Sequence, residues 1–320
     1  MMQTVSFSAA SSAIAAIFLL GLIGFLSVKR RILSETGVSE LARVLVDLVV
    51  PGALFHAMYT QYASDKLEFL WKAGVAQVML FGTAAVLSTL LHRVLHVRSH
   101  RGTIITLSSL QNNVYVPLPV CFAVLPPEQS ARAAFFVGCF VIFFNPLLWT
   151  VGVILLSGKT RPMGGFLPML SKALNPPVVG CLAGLILKNL FMNIGVQMPD
   201  LVLEVARLCK EAMAPLAMIV LGGLLAGAHW SRDFEVKAIS IVTVVKLFIL
   251  PLCALAVLGK LPGIDPVFAF VVMTEAACPP ATNISIAASR YGGNTSLIAI
   301  AMLVTYLVSI VTIPAWLAMR

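Results

Sequence analysis

Apolar positions along the chain fall in long runs, and short charged or Gly/Pro-rich stretches separate them. Cutting the runs at those stretches predicts about ten spans, over 8–28, 41–60, 69–91, 103–124, 133–156, 173–192, 201–228, 236–258, 266–289 and 294–318. Runs of about 20 apolar residues match the length that a helix needs to cross a hydrocarbon core of roughly 30 Å. The longest hydrophilic break, SGKTRPMGGFLPMLSK, lies mid-chain with five spans on either side. It divides the chain into a first five-helix unit over 1–156, a linker over 157–172 and a second five-helix unit over 173–320.

An odd number of spans per half means that a repeat, if there is one, enters the membrane upside down the second time. A shift of 164 residues places Asp47 of DLVVP on Glu211 of EAMAP, Pro51 on Pro215, and Gln111 of QNNVYVPLP on Glu275. These coincidences at one offset make an inverted five-plus-five repeat the expected architecture. The fold class expected is an all-α integral membrane protein of about ten transmembrane helices.

Two runs break in their middles. TEAACPPATNIS interrupts the ninth span at residues 274–285, and QNNVYVPLP interrupts the fourth. Proline cannot donate its N–H and crowds the carbonyl four residues earlier, leaving that oxygen free for another partner. Pro51, Pro215 and Pro279 stand four residues after Asp47, Glu211 and Glu275, so a carboxylate and a released carbonyl come three times from one residue. That pairing suits a hard cation or a proton. Pro117 and Pro119 free the carbonyls of Asn113 and Tyr115 in the same way. Non-helical backbone at membrane depth survives only when buried in protein or lining a wet cavity, so two matched breaks predict one central site. The resumed half-helices would point their partly positive ends at an anion, a carboxylate being the simplest. Asn112, Asn113, Thr282, Asn283 and Ser285 would add donors, with Tyr115, Pro117, Pro279 and Pro280 shaping the site. The bland alternative is a proline-kinked helix whose Asn, Ser and Thr satisfy loose backbone groups.

Glu275 lies deepest of the carboxylates, after FAFVVM, and a buried intramembrane carboxylate reads as functional by default. Asp47 and Glu211 fit either a coupling role or an interfacial one. Lys246, in VTVVKLFILP, is a further intramembrane charge that needs an anionic partner: Glu275, Glu211 or the substrate. Gln111 joins Glu275, Asp47, Glu211 and Lys246 in the ion-coupling set. Asn145–Pro146 and Asn175–Pro176–Pro177 read as structural helix-kinking and helix-starting signals.

Composition settles the solvent. With 59% hydrophobic residues, 11% charged ones and a mean hydropathy of +0.98, the chain belongs in a bilayer. The first apolar run precedes its basic residues, the reverse of a signal peptide, and reads as a retained helix. The net charge of +9 is spread over short loops, which argues for topology and against a nucleic-acid partner. Of the 22 Lys and Arg residues, thirteen fall on one side and eight on the other, with Lys246 inside a span. The richer side is expected to be cytoplasmic, so both termini are expected to face away from the cytoplasm across the plasma or inner membrane. The six cysteines read as packing residues, and the cluster of His92, His96 and His100 as a solvated basic loop. His56 and His229 have no assigned role. Asn294 begins an Asn-Thr-Ser sequon, too short a pattern to decide anything.

NPPVVG, KLFILP and above all EAACPPATNISIAASRYGGN resemble the auxin efflux carrier family, whose bacterial members include proposed malate and malonate permeases. QNNVYVPLP resembles that family's fourth-span motif, with Val114, Tyr115 and Val116 where a glycine-containing version is commoner. The resemblance implies the ten-helix fold of bile-acid symporters and sodium/proton antiporters, with broken fourth and ninth helices crossing at the midplane. It also implies a sodium ion at Glu275, by likeness to a glutamate of the bile-acid symporters, and a homodimer by likeness to plant members.

The function expected is secondary active transport of a small carboxylate by alternating access, driven by a proton or sodium gradient or by the membrane potential. A non-transporting sensor or scaffold using the same broken-helix site is the alternative. No soluble-enzyme motif is present, and an intramembrane enzyme would have only Cys278 beside Glu275 as its nucleophile. No cofactor beyond a coupling ion is expected.

Overall fold

The computed structural model describes residues 7–62, 67–97, 100–158, 171–227 and 235–319. Those residues are mostly helical, with one isolated bridge in place of any sheet. Twelve helices are used below: α1 Phe7–Lys29, α2 Glu35–Gln61, α3 Leu67–Val94, α4 Arg101–Ser109, α5 Pro117–Val124, α6 Pro127–Ser157, α7 Pro176–Ile194, α8 Asp200–Ala226, α9 Val236–Leu258, α10 Pro266–Ala277, α11 Asn283–Tyr291 and α12 Thr295–Ala318. Eight of them are long and apolar enough to cross a membrane. The four short ones are the halves of the interrupted runs. The chain is an all-α integral membrane protein. Most of the linker over 157–172 lies outside the described residues, as do Lys66, Arg98, Lys159, Arg161, Arg232, Arg320 and His229.

Helix starts follow from local chemistry. Ser34 accepts from the Gly37 N–H, Asn175 from that of Val178, and Asn294 from that of Leu297, each satisfying one otherwise orphaned donor. Asp265 accepts from both Val267 and Phe268, at 2.9 Å each, and pairs with Arg132. The helix-starting role expected for Asn175 and its prolines is what α7 shows, and Gly195 closes that helix at a φ of 68° that suits glycine.

Prolines reshape α2, α6 and α9. Each contains a five-residue π turn, at Leu45–Val49, Leu148–Gly152 and Val245–Ile249, and each turn lies within a few residues of Pro51, Pro146 or Pro251. A wider turn relieves the clash between the pyrrolidine ring and the preceding turn. The carbonyl that Pro251 leaves without a donor is that of Leu247, and the Trp316 indole N–H reaches it at 2.8 Å.

Packing sorts the helices into two groups. α1, α2, α7 and α8 form one bundle; α3 to α6 and α9 to α12 form the other, and α5, α6 and α12 carry the contact between them. Each half of the sequence contributes helices to both groups. In the first bundle the backbones nearly touch: a Cβ on Gly222 of α8 would lie 1.8 Å from the Gly21 carbonyl oxygen of α1, and one on Gly180 of α7 would lie 2.4 Å from the Pro51 oxygen of α2. Small residues that let helices approach this closely are how lipid-embedded bundles gain packing energy, because lipid supplies no hydrophobic drive between helices. The outer faces present Leu19 and Ile23, Val78 and Val86, Ile186, Leu201 and Val311 to the bilayer.

Contacts also collect basic loops at common ends. His100 meets Glu235 and Asn294, Lys237 donates to the Leu95 carbonyl, and Lys172 bonds Tyr291, all at one end. Arg132 and Asp265 lie with the α5–α6 and α9–α10 turns at the other. His100 is thus not free in a solvated loop, and Asn294 of the sequon serves as the N-cap of α12.

Candidate functional site

The two interrupted runs meet each other. α4 ends at Ser109 and α10 at Ala277, and the chain then turns extended at Leu110 and at Cys278, whose ψ of 144° is what a following proline imposes. The Asn112 N–H donates to the Pro279 carbonyl at 2.7 Å and the Ala281 N–H to the Leu110 carbonyl at 3.0 Å, so Gln111 and Pro280 face each other as an antiparallel bridge. Two prolines in succession offer no N–H, and the second break therefore contributes carbonyls. One goes to Asn112; the other, on Pro280, accepts from the Tyr306 hydroxyl at 3.1 Å.

Pro117 and Pro119 open α5 instead of kinking a longer helix. The Leu118 and Val120 N–H groups reach Val114 and Val116, and the intervening rungs, to Asn113 and Tyr115, cannot form. Asn112 organises this half. Its Oδ1 accepts from the Tyr115 N–H at 2.8 Å and the Val114 N–H at 3.3 Å, and its Nδ2 donates to Tyr306 at 2.6 Å. Tyr306 on α12 therefore holds both breaks through one hydroxyl.

Behind the bridge lies a buried polar cluster. Gln111 Nε2 donates to Gln77 Oε1 on α3 at 2.7 Å and to Glu275 Oε2 at 3.2 Å. Gln77, Gln111, Glu275 and Lys246 are all 0% exposed. Glu275 Oε1, Gln111 Oε1, Gln77 Nε2 and Lys246 Nζ have no hydrogen-bond partner, nor do the hydroxyls of Ser108 and Ser109 in the last turn of α4. Natives seldom leave buried polar atoms unpaired, and so many together mark a place where something else binds or moves. Lys246 projects from the π turn of α9, which packs on α3, α4, α10 and α12.

In front of the bridge are two spaces. A pocket of about 30 Å³, room for one water, is lined by Asn112, Asn113, Tyr115, Asn145, Asn175, Thr282 and Asn283. The Asn113 amide nitrogen is buried there without a partner. The Asn175 amide donates to Asn145 Oδ1 at 2.6 Å, joining α7 of the first bundle to α6 of the second. Beyond it a cavity of about 710 Å³ includes Tyr115, Thr282, Asn283, Ser285 and Tyr306 in its wall, together with Asp47, Arg43 and Arg290. No side chain caps α11 at Thr282, and the Ile284 and Ser285 N–H groups donate to the Ala281 and Thr282 carbonyls at 3.1 Å each.

The expected site residues are therefore distributed unevenly. Gln111, Asn112, Asn113, Tyr115, Pro117, Pro279, Pro280, Thr282 and Asn283 come together, Ser285 lies on the cavity wall, and Glu275 and Lys246 sit behind the bridge. Asp47 lies in the π turn of α2, 44% exposed and 3.6 Å from Arg43. Glu211, 56% exposed, bonds Arg207 on the outer face of α8. Neither joins Glu275. Four residues before a proline, each carboxylate still takes the face that its helix register dictates, and for Asp47 and Glu211 that face is exposed. Gln77 and Tyr306 were not foreseen, although a lone amide in KAGVAQVML and a phenol in LVTYLVS are intramembrane polar groups of the kind that rarely lack a partner. Asn145 and Asn175, read as structural, also line the small pocket.

The sodium ion implied at Glu275 would need several oxygens converging on one point. The cluster's unpaired oxygens are Glu275 Oε1, Gln111 Oε1 and the Ser108 and Ser109 hydroxyls, and the buried Lys246 ammonium, on a neighbouring π turn, would meet a sodium ion there as a like charge. Among the described residues no three of His, Cys, Asp and Glu converge to hold a metal.

Known proteins match this chain along its length. It is 24% identical over 306 residues, 94% of the chain and 95% of the relative, to the uncharacterized transporter MJ1031 of Methanocaldococcus jannaschii. It is 30% identical over 161 residues to PIN-LIKES 5 and to PIN-LIKES 7 of Arabidopsis thaliana, a match covering 46% of the chain and only 40% of each plant protein's length. A membrane transport protein family model matches residues 9–164 and 160–317. With broken helices bridged in the interior and a family model spanning nearly every described helix, the chain belongs to the membrane transport protein family, that of the auxin efflux carriers.

Proposed function

We propose that this transporter is a secondary carrier of a small carboxylate, working by alternating access and driven by an ion gradient or by the membrane potential. The observation that supports this most is the bridge itself: two helices interrupted at depth, joined main chain to main chain, with unpaired polar groups on both faces. Such breaks are costly in lipid unless they serve a buried or wetted site. The anion would sit against Asn113, Thr282, Asn283 and the start of α11, where backbone N–H groups and the helix dipole favour negative charge. Glu275 and Gln111, behind the bridge, would sense the occupancy of that site through the shared backbone. The reading is transport without catalysis. The bilayer is its other partner, with a homodimer as the assembly and the plasma or inner membrane as its place.

Uptake of radiolabelled malate, malonate and indole-3-acetate into proteoliposomes, with proton gradient, sodium gradient and membrane potential imposed separately, tests the reading. Accumulation of one of them under one driving force is expected, and Glu275→Gln should lower it by about tenfold or more, the scale of one ~1.4 kcal/mol interaction. Carboxylate binding by folded protein with no accumulation under any gradient would shift the assignment to a ligand sensor.

A further inference from the structure

The charges behind the bridge are incompletely matched. Gln111 covers one oxygen of Glu275 and leaves Oε1 bare, and Lys246 has no hydrogen-bond partner at Nζ. The π turn carrying Lys246 packs on α10, which carries Glu275, so the two buried groups stand on neighbouring segments without an ion pair between them. A buried ammonium and a buried carboxylate are each costly alone and compensate one another. Lysine is a compact point charge on a flexible four-carbon stem, able to approach or leave a carboxylate without moving its helix. Its root is held, because Trp316 bonds the Leu247 carbonyl in the same turn. A mobile sodium ion entering beside that ammonium would meet a like charge in a low-dielectric site, where repulsion is strongest.

We propose that Lys246 is a tethered cation that takes the place of a coupling sodium ion at Glu275, so that anion binding at the bridge is independent of sodium. This rests on the carrier reading for the identity of the anion site. The lysine stem supplies the positive charge that a sodium-coupled carrier would take from solution, and the chain itself carries it back when the site empties.

The test uses the purified full chain in detergent. Saturable binding of radioactive sodium is measured by scintillation proximity, and the melting temperature is compared in sodium and choline chloride. Wild type is expected to show no saturable sodium binding and no sodium-dependent melting shift. Lys246→Met, which leaves Glu275 uncompensated, should gain saturable sodium binding at least about tenfold above the wild-type signal, with Lys246→Gln as the second variant where Met does not fold. The neutral pair Lys246→Met with Glu275→Gln should fold and lose that binding again. Sodium binding by wild type that disappears in Glu275→Gln overturns the proposal. So does a folded Lys246 variant that gains no sodium binding, and one that instead loses malonate binding would make the lysine an anion ligand. Radiolabelled malonate binding, measured on the same preparations, reports separately on the carrier reading: its absence in every form tells against the anion site and leaves the sodium result to decide the role of Lys246.

Discussion

The α1–α8 contact and the α4–α10 crossing are both places where backbone meets backbone inside the membrane, and they are built in opposite ways. At the first, glycines on both helices let the backbones close up, leaving Gly222 against the carbonyl of Gly21 with no space for one more carbon. At the second, the helices stop, the chains pair through two main-chain hydrogen bonds, and polar atoms are left without partners on both sides. The one contact is saturated and the other is not. A saturated contact resists displacement, because a close-packed interface loses dispersion with any gap. An unsaturated one gains when a ligand arrives. The contrast sets a contact that resists displacement against one that a ligand could complete.

The frame side of the contrast predicts the largest effect. Gly222→Ala puts a methyl 1.8 Å from the Gly21 oxygen, and backbone cannot step aside as a side chain can. Overpacking costs typically ~1–3 kcal/mol, and this case belongs at or above the top of that range. Thermal melting followed by size-exclusion fluorescence should show a large loss of folded protein, with any surviving fraction retaining carboxylate binding. Near-wild-type melting would mean that α1 and α8 are less tightly joined than their backbones indicate.

At the crossing, Tyr306→Phe is the corresponding probe of intermediate size. Removing the hydroxyl strands the buried Asn112 amide and the Pro280 carbonyl together. Leaving buried polar groups unpaired costs about 1–3 kcal/mol, which thermal denaturation can measure. Carboxylate binding should fall along with stability, because the same hydroxyl sets the spacing of the two breaks. A variant that melts like wild type yet binds tenfold more weakly would make Tyr306 a direct ligand.

The two breaks were legible in the sequence, and the close packing of the frame was not. Prolines at fixed spacing among Asn, Thr and Glu announce non-helical backbone, and in lipid non-helical backbone has few reasons to exist. Hence both breaks, at QNNVYVPLP and TEAACPPATNIS, were readable one at a time. Their partners were not, because Gln77 and Tyr306 are single polar residues in apolar runs, and only the fold says which of many faces turns inward. Glycines such as Gly24 and Gly222 were equally ambiguous: glycine is common in membrane helices, and tight approach is a property of two helices that neither run displays alone. The offset of 164 residues linking Gln111 to Glu275 in the sequence is also the separation of two side chains bonded to each other at 3.2 Å.

The smallest effect is expected where a carboxylate looked equivalent to Glu275 in the sequence and stands apart from it in the fold. Asp47 pairs with Arg43 one turn away on an exposed face of α2, beside the large cavity. Exposed i,i+4 pairs are worth about 0.3–0.5 kcal/mol. Asp47→Asn should therefore leave the melting temperature nearly unchanged, whereas Glu275→Gln, which leaves the buried Lys246 ammonium uncompensated, should lower it while suppressing uptake. If Asp47 acts only at the cavity mouth, its substitution alters the concentration of carboxylate needed for half-maximal uptake by about twofold and leaves the driving force unaltered. A changed gradient dependence in Asp47→Asn would instead put the π turn of α2 into the coupling machinery. The saturated frame and the unsaturated crossing would then share the transported charge.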